Sequence, residues 1–265
     1  HAKQHHGRWL VRIEDIDPPR EQVGAASLIL KTLEAFGLHW DETVLYQSQQ
    51  SDRYNSVLAD LASQGLTYHC QCTRAQIKQM GGIYQGHCQS LNLAVQPLAS
   101  DHSAIRLINQ YGIEHFQDLI QGQVQCDSAL AKEDFILKRK DGLFAYQLAV
   151  VLDDIEQNIS HIIRGCDLLE PTARQLTFFQ TLKQPAPAFG HIPLAVTEQG
   201  YKLSKQNKAP ALNIKNPQPA LIAALAFLGQ KTPTDLAQAS VEEIITWAKT
   251  SFNFEQVPKQ AEIML

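Results

Sequence analysis

No run of apolar residues in this 265-residue chain approaches the ~20 that a membrane-spanning helix requires. No leader pattern of basic residues followed by an apolar segment opens it either. Internal repeats and low-complexity tracts are also missing, which argues against a solenoid or a linker-dominated chain. Cysteine is scarce: there are five, an odd number, in a chain too large to need disulfide staples. A reducing cytoplasm is therefore expected, with some thiols on metal. The chain also lacks a large excess of either charge. A formal net charge of −4 argues against a generally basic nucleic-acid coat protein. It leaves room for RNA binding through a local basic face.

What is present is ordinary for a soluble globular protein, with 44% hydrophobic and 19% charged residues. The length allows one large domain or two to three smaller units. Arg8-Trp9-Leu10-Val11-Arg12-Ile13 partly alternates apolar and basic residues and predicts a strand, which Pro18-Pro19 then excludes from continuing. Residues 24–36 carry a helical apolar stripe that stops at Gly37, 45–48 predict a short strand, and 54–62 return to helical spacing. This alternation predicts an α/β fold with a parallel sheet and crossover helices.

The rhythm breaks between Leu66 and Phe144, a section read as an insertion between two halves of the sheet domain. Asp141-Gly142, flanked by short apolar runs, predicts a hairpin tip there. Alternation resumes with a helix over 147–155, a strand over 161–165 and a helix opened by Pro171. Beyond Pro217 the composition is helical: Gly229 is placed to cap one helix, and Ser240 with Glu243 forms a capping box for the last.

Several groups could carry chemistry. Cys70, Cys72 and Cys88 offer three thiolates to one soft cation, and a fourth ligand would complete a tetrahedral zinc site. Chemistry alone favours His87 or His69 as that ligand, since imidazole is commoner on zinc than phenolate. Four protein ligands would leave the zinc structural. Glu14, with Asp15 and Asp17, stands at the end of a predicted strand, where a carboxylate could hold an amino-acid ammonium. Arg164 ends another, and its guanidinium fork suits a carboxylate. Tyr146 could add a phenolic hydroxyl. Lys202 and Lys205, in Lys202-Leu203-Ser204-Lys205-Gln206, suit a loop that neutralises triphosphate charge. Taken singly, each has a bland alternative: buried cysteines, a solvated acidic turn, a surface arginine, a half-buried tyrosine, a lysine-rich turn.

Their order along the chain is more specific. RIEDID from Arg12, CQC with Tyr84 and Cys88, DGLFAYQLAVVLDD from Asp141, IIRGCD from Ile162 and KLSKQ from Lys202 together resemble the glutamyl-tRNA synthetase catalytic core. The resemblance covers Arg8 to about Leu228 and is closer still to the shortened bacterial paralogues of that core. It implies a class I Rossmann-like parallel sheet over 1–66 and 145–212, an inserted zinc-bearing subdomain over 67–144, and a helical stem-contact region over 213–265. It implies activation of L-glutamate by ATP with Mg²⁺, then transfer to queuosine in the anticodon of tRNA(Asp), by a monomer in the cytoplasm. By position, Glu14 would hold the glutamate ammonium, Tyr146 and Arg164 would contact the rest of the amino acid, and Lys205 would be the ATP lysine with Lys202 in support. Cys70, Cys72, Tyr84 and Cys88 would be the zinc ligands, with tyrosine in place of histidine.

The sequence departs from the family pattern at its start. The first strand and HIGH-like motif of a class I core lie upstream of anything present, and an N-terminally incomplete chain is the expectation. Two other functions compete. One is a truncated glutamyl-tRNA synthetase that charges the acceptor end, disfavoured because no anticodon-binding domain follows KLSKQ. The other is a catalytically silent, zinc-stabilised RNA-binding module, disfavoured by the retained Glu14, Tyr146, Arg164 and Lys205.

Overall fold

The computed structural model describes residues 1–90, 103–198, 200–203 and 209–265. In chain order its elements begin with β1 (Arg12–Ile13), α1 (Ala25–Ala35), β2 (Leu45–Tyr46), α2 (Ser51–Ser63), β3 (Thr67–Cys70), α3 (Arg74–Gln79) and α4 (His87–Ser90). There follow β4 (Ala104–Leu107), β5 (His115–Asp118), β6 (Gly122–Gln125), α5 (Ser128–Lys132), β7 (Ile136–Lys138), α6 (Tyr146–Glu156) and β8 (His161–Gly165). The chain continues through α7 (Pro171–Thr181), β9 (Ala188–Ile192), β10 (Leu194–Val196), α8 (Gln218–Phe227), α9 (Val241–Ser251) and β11 (Glu262–Met264). Two compact units result: His1–Tyr46, Arg164–Asp167 and His191–Leu265 make one, and Gln47–Ile163 with Leu168–Gly190 make the other. No described helix is long and apolar enough to cross a membrane.

The fold is α/β, but the expected single parallel sheet is not what forms among the described residues. Five small sheets are present instead. Two pairs run parallel, β1 with β2 and β10 with β11, whereas β3–β4–β7 and β5–β6 are antiparallel. The predicted strand over 8–13 shrinks to two residues for a local reason. Trp9 donates its N–H to the Asp41 carboxylate at 2.7 Å and accepts the Asp41 N–H at 2.8 Å. A side chain thus occupies a position that a neighbouring strand would otherwise satisfy.

In the first unit, α8 and α9 close over Leu225, Leu236 and Ile244, with Leu221, Trp247 and Phe252 packed around them. The last turn of α8 ends in a Schellman arrangement, Gly229 N–H to Ala226 C=O and Gln230 N–H to Leu225 C=O, both 2.9 Å. Gly229 has φ +75°, and a Cβ there would stand 2.2 Å from the Gln256 carbonyl oxygen, so only glycine serves. The capping box forms as the sequence predicts: Ser240 Oγ accepts the Glu243 N–H at 3.3 Å, and Glu243 accepts the Ser240 N–H at 2.8 Å. Parallel strand β11, which the sequence did not signal, pairs Ile263 with Ala195.

The second unit has the larger buried side chains: Tyr54, Leu61, Leu107, Leu137, Leu148, Phe178 and Phe179. Each such leucine contributes roughly 1.5–3 kcal/mol of transfer free energy. Helix α6 is buried continuously from Leu148 to Asp154, as an apolar helix enclosed on all sides must be. The Asp141-Gly142 turn closes with Arg139 N–H donating to Leu143 C=O at 2.8 Å and a single antiparallel bridge from Lys138 to Phe144.

Candidate functional site

The thiol cluster belongs wholly to the second unit. Strand β3 alternates so that Tyr68 and Cys70 are both buried. Past Cys72, Thr73 caps α3 with a capping box to Gln76, turning the chain sharply away. Cys88 returns on α4, and its Sγ comes within 3.5 Å of Cys72 Sγ. All three Sγ atoms of Cys70, Cys72 and Cys88 lie within 4.8 Å of one another. Sulfurs around one tetrahedral zinc stand about 3.8 Å apart, from a Zn–S length of ~2.3 Å, so this donor set fits that cation.

Tyr84 is buried beside the thiols, and its hydroxyl oxygen accepts the Cys88 backbone N–H at 2.7 Å. Its own N–H donates to Glu133 Oε1 at 3.0 Å. The Arg106 guanidinium lies over the Tyr84 ring, 3.8 Å from its centre. Glu133 in turn pairs with Arg174 and stands 3.9 Å from Arg106. Tyr68 stacks 6.5 Å from Tyr84 and donates its hydroxyl to Asp134 at 2.7 Å. Neither histidine joins the group: His69 Nδ1 is 2.7 Å from Ser103 Oγ, and His87 is exposed.

Electrostatics distinguish the thiols. Burial, with hydrogen bonding to Cys88 and the neighbouring Cys70, pushes the Cys72 thiol up to about 12. Burial pushes Cys88 up as well, but the Gln71 backbone N–H and bonds from Cys72, Tyr84 and Cys70 outweigh it, and the net shift is downward. Burial raises Tyr84 above the usual phenol range. Without a cation the cluster therefore does not carry three thiolates, and a bound cation is what would favour them.

Glu14, Arg164 and Lys202, also singled out in the sequence, belong to the first unit. Glu14 follows β1 with its carboxylate partly exposed, 3.4 Å from Arg12 Nε. Arg164 stands near the end of β8 and donates from Nε to His191 Nε2 at 3.0 Å. Past Val196 the chain reverses, Thr197 N–H to Tyr201 C=O at 2.9 Å, so that Lys202 pairs back on Val196. The Lys202 ammonium is held by Asp167. Lys205 lies outside the described residues. Tyr146 is the half-buried first residue of α6, in the second unit.

The profile of tRNA synthetases class I (E and Q), catalytic domain, matches residues 1–262. The chain is 65% identical to the glutamyl-Q tRNA(Asp) synthetase of Colwellia psychrerythraea, over 99% of this chain and 83% of that protein. The chain belongs to the glutamyl-Q tRNA(Asp) synthetase family. It is 51% identical to the Escherichia coli O157:H7 member of that family, over 98% of this chain and 83% of the relative. Among solved structures, a glutamate tRNA ligase from Elizabethkingia meningosepticum, in complex with its amino acid, superposes with a TM-score of 0.76 at 24% identity. That likeness is one of fold, and the chain covers 98% of itself and 61% of that longer protein.

Four neighbours of these side chains were given no role of their own in the sequence reading: Arg106, Glu133, His191 and Asp167. Arg106 and His191 had a signal, since each is a polar side chain set inside an apolar strand run. Asp167 closes the IIRGCD motif, though nothing there tells that it would meet Lys202, and Glu133 had no signal, because an acidic residue in a turn is ordinarily solvated.

Proposed function

We propose that the chain activates L-glutamate with ATP and passes it to the queuosine base in the anticodon of tRNA(Asp). The observation that carries this reading is the 65% identity to a glutamyl-Q tRNA(Asp) synthetase across 99% of the chain. The protein is then an ATP-dependent ligase, acting as a monomer in the cytoplasm. In the first step a glutamate carboxylate oxygen bonds to the α-phosphorus, and the bond to the departing pyrophosphate breaks. In the second, a hydroxyl of the queuosine cyclopentenediol attacks the activated carbonyl, an ester forms, AMP leaves and the hydroxyl proton passes to solvent.

Little covalent help from protein is needed for the first step; alignment and charge stabilisation dominate. Glu14 holds the glutamate ammonium, while Tyr146 and Arg164 orient the remainder of the amino acid. Lys205 and Lys202 neutralise the phosphates. Magnesium on the triphosphate supplies further charge neutralisation. Cys70, Cys72, Cys88 and Tyr84 hold a structural zinc in a subdomain over 67–144, inserted between core segments 1–66 and 145–212. The helices from residue 213 onward form the stem-contact region.

The test uses the full-length protein in glutamate-dependent pyrophosphate exchange without tRNA, followed by labelled-glutamate transfer to tRNA(Asp) with or without queuosine. Exchange in the absence of tRNA and transfer only to the queuosine-containing form are expected. Lys205→Ala lowers exchange by roughly 10²–10³-fold, the usual effect of deleting one transition-state charge contact, with unchanged Tm. Charging of tRNA(Glu) at its acceptor end would instead identify an ordinary glutamyl-tRNA synthetase.

A further inference from the structure

We propose that His191 is a positioning residue for Arg164, setting the plane in which the guanidinium meets the glutamate substrate. The inference rests on the reading of Arg164 as a glutamate contact. Two hydrogen bonds tie His191 to the end of β8. The Arg164 Nε–H donates to His191 Nε2 at 3.0 Å, and the Cys166 thiol donates to the His191 carbonyl oxygen at 3.6 Å. Arg164 and Cys166 are two residues apart, so side chain and backbone of one histidine grip the residues on either side of Gly165. Gly165 lets the chain between them pack tightly: a Cβ there would stand 2.6 Å from Asp167 Oδ1 and 2.9 Å from Leu194 Cδ2.

The chemistry of the bond defines the imidazole. An arginine Nε–H can only donate, because the guanidinium stays protonated and offers no acceptor. His191 must therefore accept at Nε2, which makes it neutral with its proton on Nδ1. His191 is 0% exposed, so water does not compete for that lone pair. A bond to Nε fixes the last torsion before the guanidinium plane. The fork is thereby oriented before a carboxylate arrives, which is preorganisation rather than contact. A ring lacking the lone pair would leave Arg164 charged and present but without the bond that sets its Nε torsion.

Glutamine reproduces the acceptor because its terminal oxygen reaches about as far as Nε2, whereas asparagine is too short. Steady-state pyrophosphate exchange is measured for wild type, His191→Gln, His191→Asn, His191→Phe, Arg164→Ala and the double variant Arg164→Ala/His191→Phe. Thermal unfolding identifies those that fold. In His191→Phe and His191→Asn the KM for glutamate is expected to rise roughly tenfold to a hundredfold, with the KM for ATP within about twofold of wild type. His191→Gln is expected within about threefold of wild type. The double variant is expected to be no worse than Arg164→Ala alone, since His191 acts through that residue.

If His191→Phe does not fold, the contrast between the glutamine and asparagine variants decides. A glutamate KM unchanged in His191→Asn, or losses that simply multiply in the double variant, overturns the positioning role. If Arg164→Ala itself leaves the glutamate KM intact, the reading of Arg164 falls and takes this inference with it. An effect of Arg164→Ala with none from His191 leaves that reading standing and removes only the inference.

Discussion

The guanidinium of Arg106 lies 3.8 Å from the centre of the Tyr84 ring, and the Tyr84 hydroxyl accepts the Cys88 N–H at 2.7 Å. Strand β4 therefore braces a tyrosine that in turn braces the third cysteine. A cation over an aromatic face contributes roughly 0.5–2 kcal/mol, and more when both groups are desolvated. Arg106 is only 3% exposed, so its charge depends on these neighbours.

The thiol cluster leads to a metal prediction. Purified protein is expected to carry roughly one zinc per chain, and Cys88→Ser to carry almost none. Competition with a chelator is expected to show Tyr84→Phe weakened about 10–100-fold, with His69→Ala and His87→Ala near wild type. Weakening confined to a histidine variant would reassign the fourth ligand. Protein that folds without stoichiometric zinc, and whose Tm ignores chelation, would sink the zinc reading altogether.

A second prediction concerns the fully buried carboxylate of Asp153. It accepts the Gln47 side-chain amide at 2.7 Å and the Tyr54 hydroxyl at 2.9 and 3.0 Å, and it pairs with Arg53. Asp153→Ala leaves Arg53 with Glu156, 3.3 Å away, as its remaining carboxylate and strips Gln47 and Tyr54 of their buried acceptor, and is expected to cost about 2–4 kcal/mol in urea unfolding. Asp153→Asn keeps the shape and part of the hydrogen bonding, so its cost is expected to be smaller. Equal losses for both would show that charge, not shape, holds α2 against α6.

The third prediction is a pH dependence. The Ser240 backbone N–H, then the Ser240 hydroxyl, hold the Glu243 carboxyl below its usual value of 4.5. A group whose pKa is lower folded than unfolded favours the folded state above the unfolded pKa, and that favour fades as pH falls through the folded value. Glu243→Gln keeps a competent capping box but has no charge to titrate. The Tm difference between wild type and this variant is expected to shrink as pH falls from about 7 to about 3. A gap that stays constant or widens toward acid contradicts the charge argument.

Much of the local structure could be read from the sequence because it depends on near neighbours. Ser240 and Glu243 are three residues apart, Pro171 begins its own helix, and the Asp141-Gly142 turn needs only the residues beside it. The sheet was less legible. The alternation over 8–13 says that a strand is possible there, but not that the Asp41 carboxylate takes the Trp9 N–H. Strand β11 was missed because its three residues carry no periodic signal apart from their partner β10.

The sequence by itself determined which chemistry is available and in what order: thiols, then a tyrosine, then arginine, then lysines, spaced as in one synthetase family. Tertiary structure alone decided the partnerships. Cys88 meets Cys72 across 16 positions, Arg106 covers Tyr84, and His191 holds Arg164 across 27 positions. Residue type states what a side chain can donate or accept. Which partner it meets depends on long-range packing, where the entropy of closing the chain is offset by burial of the surrounding apolar surface.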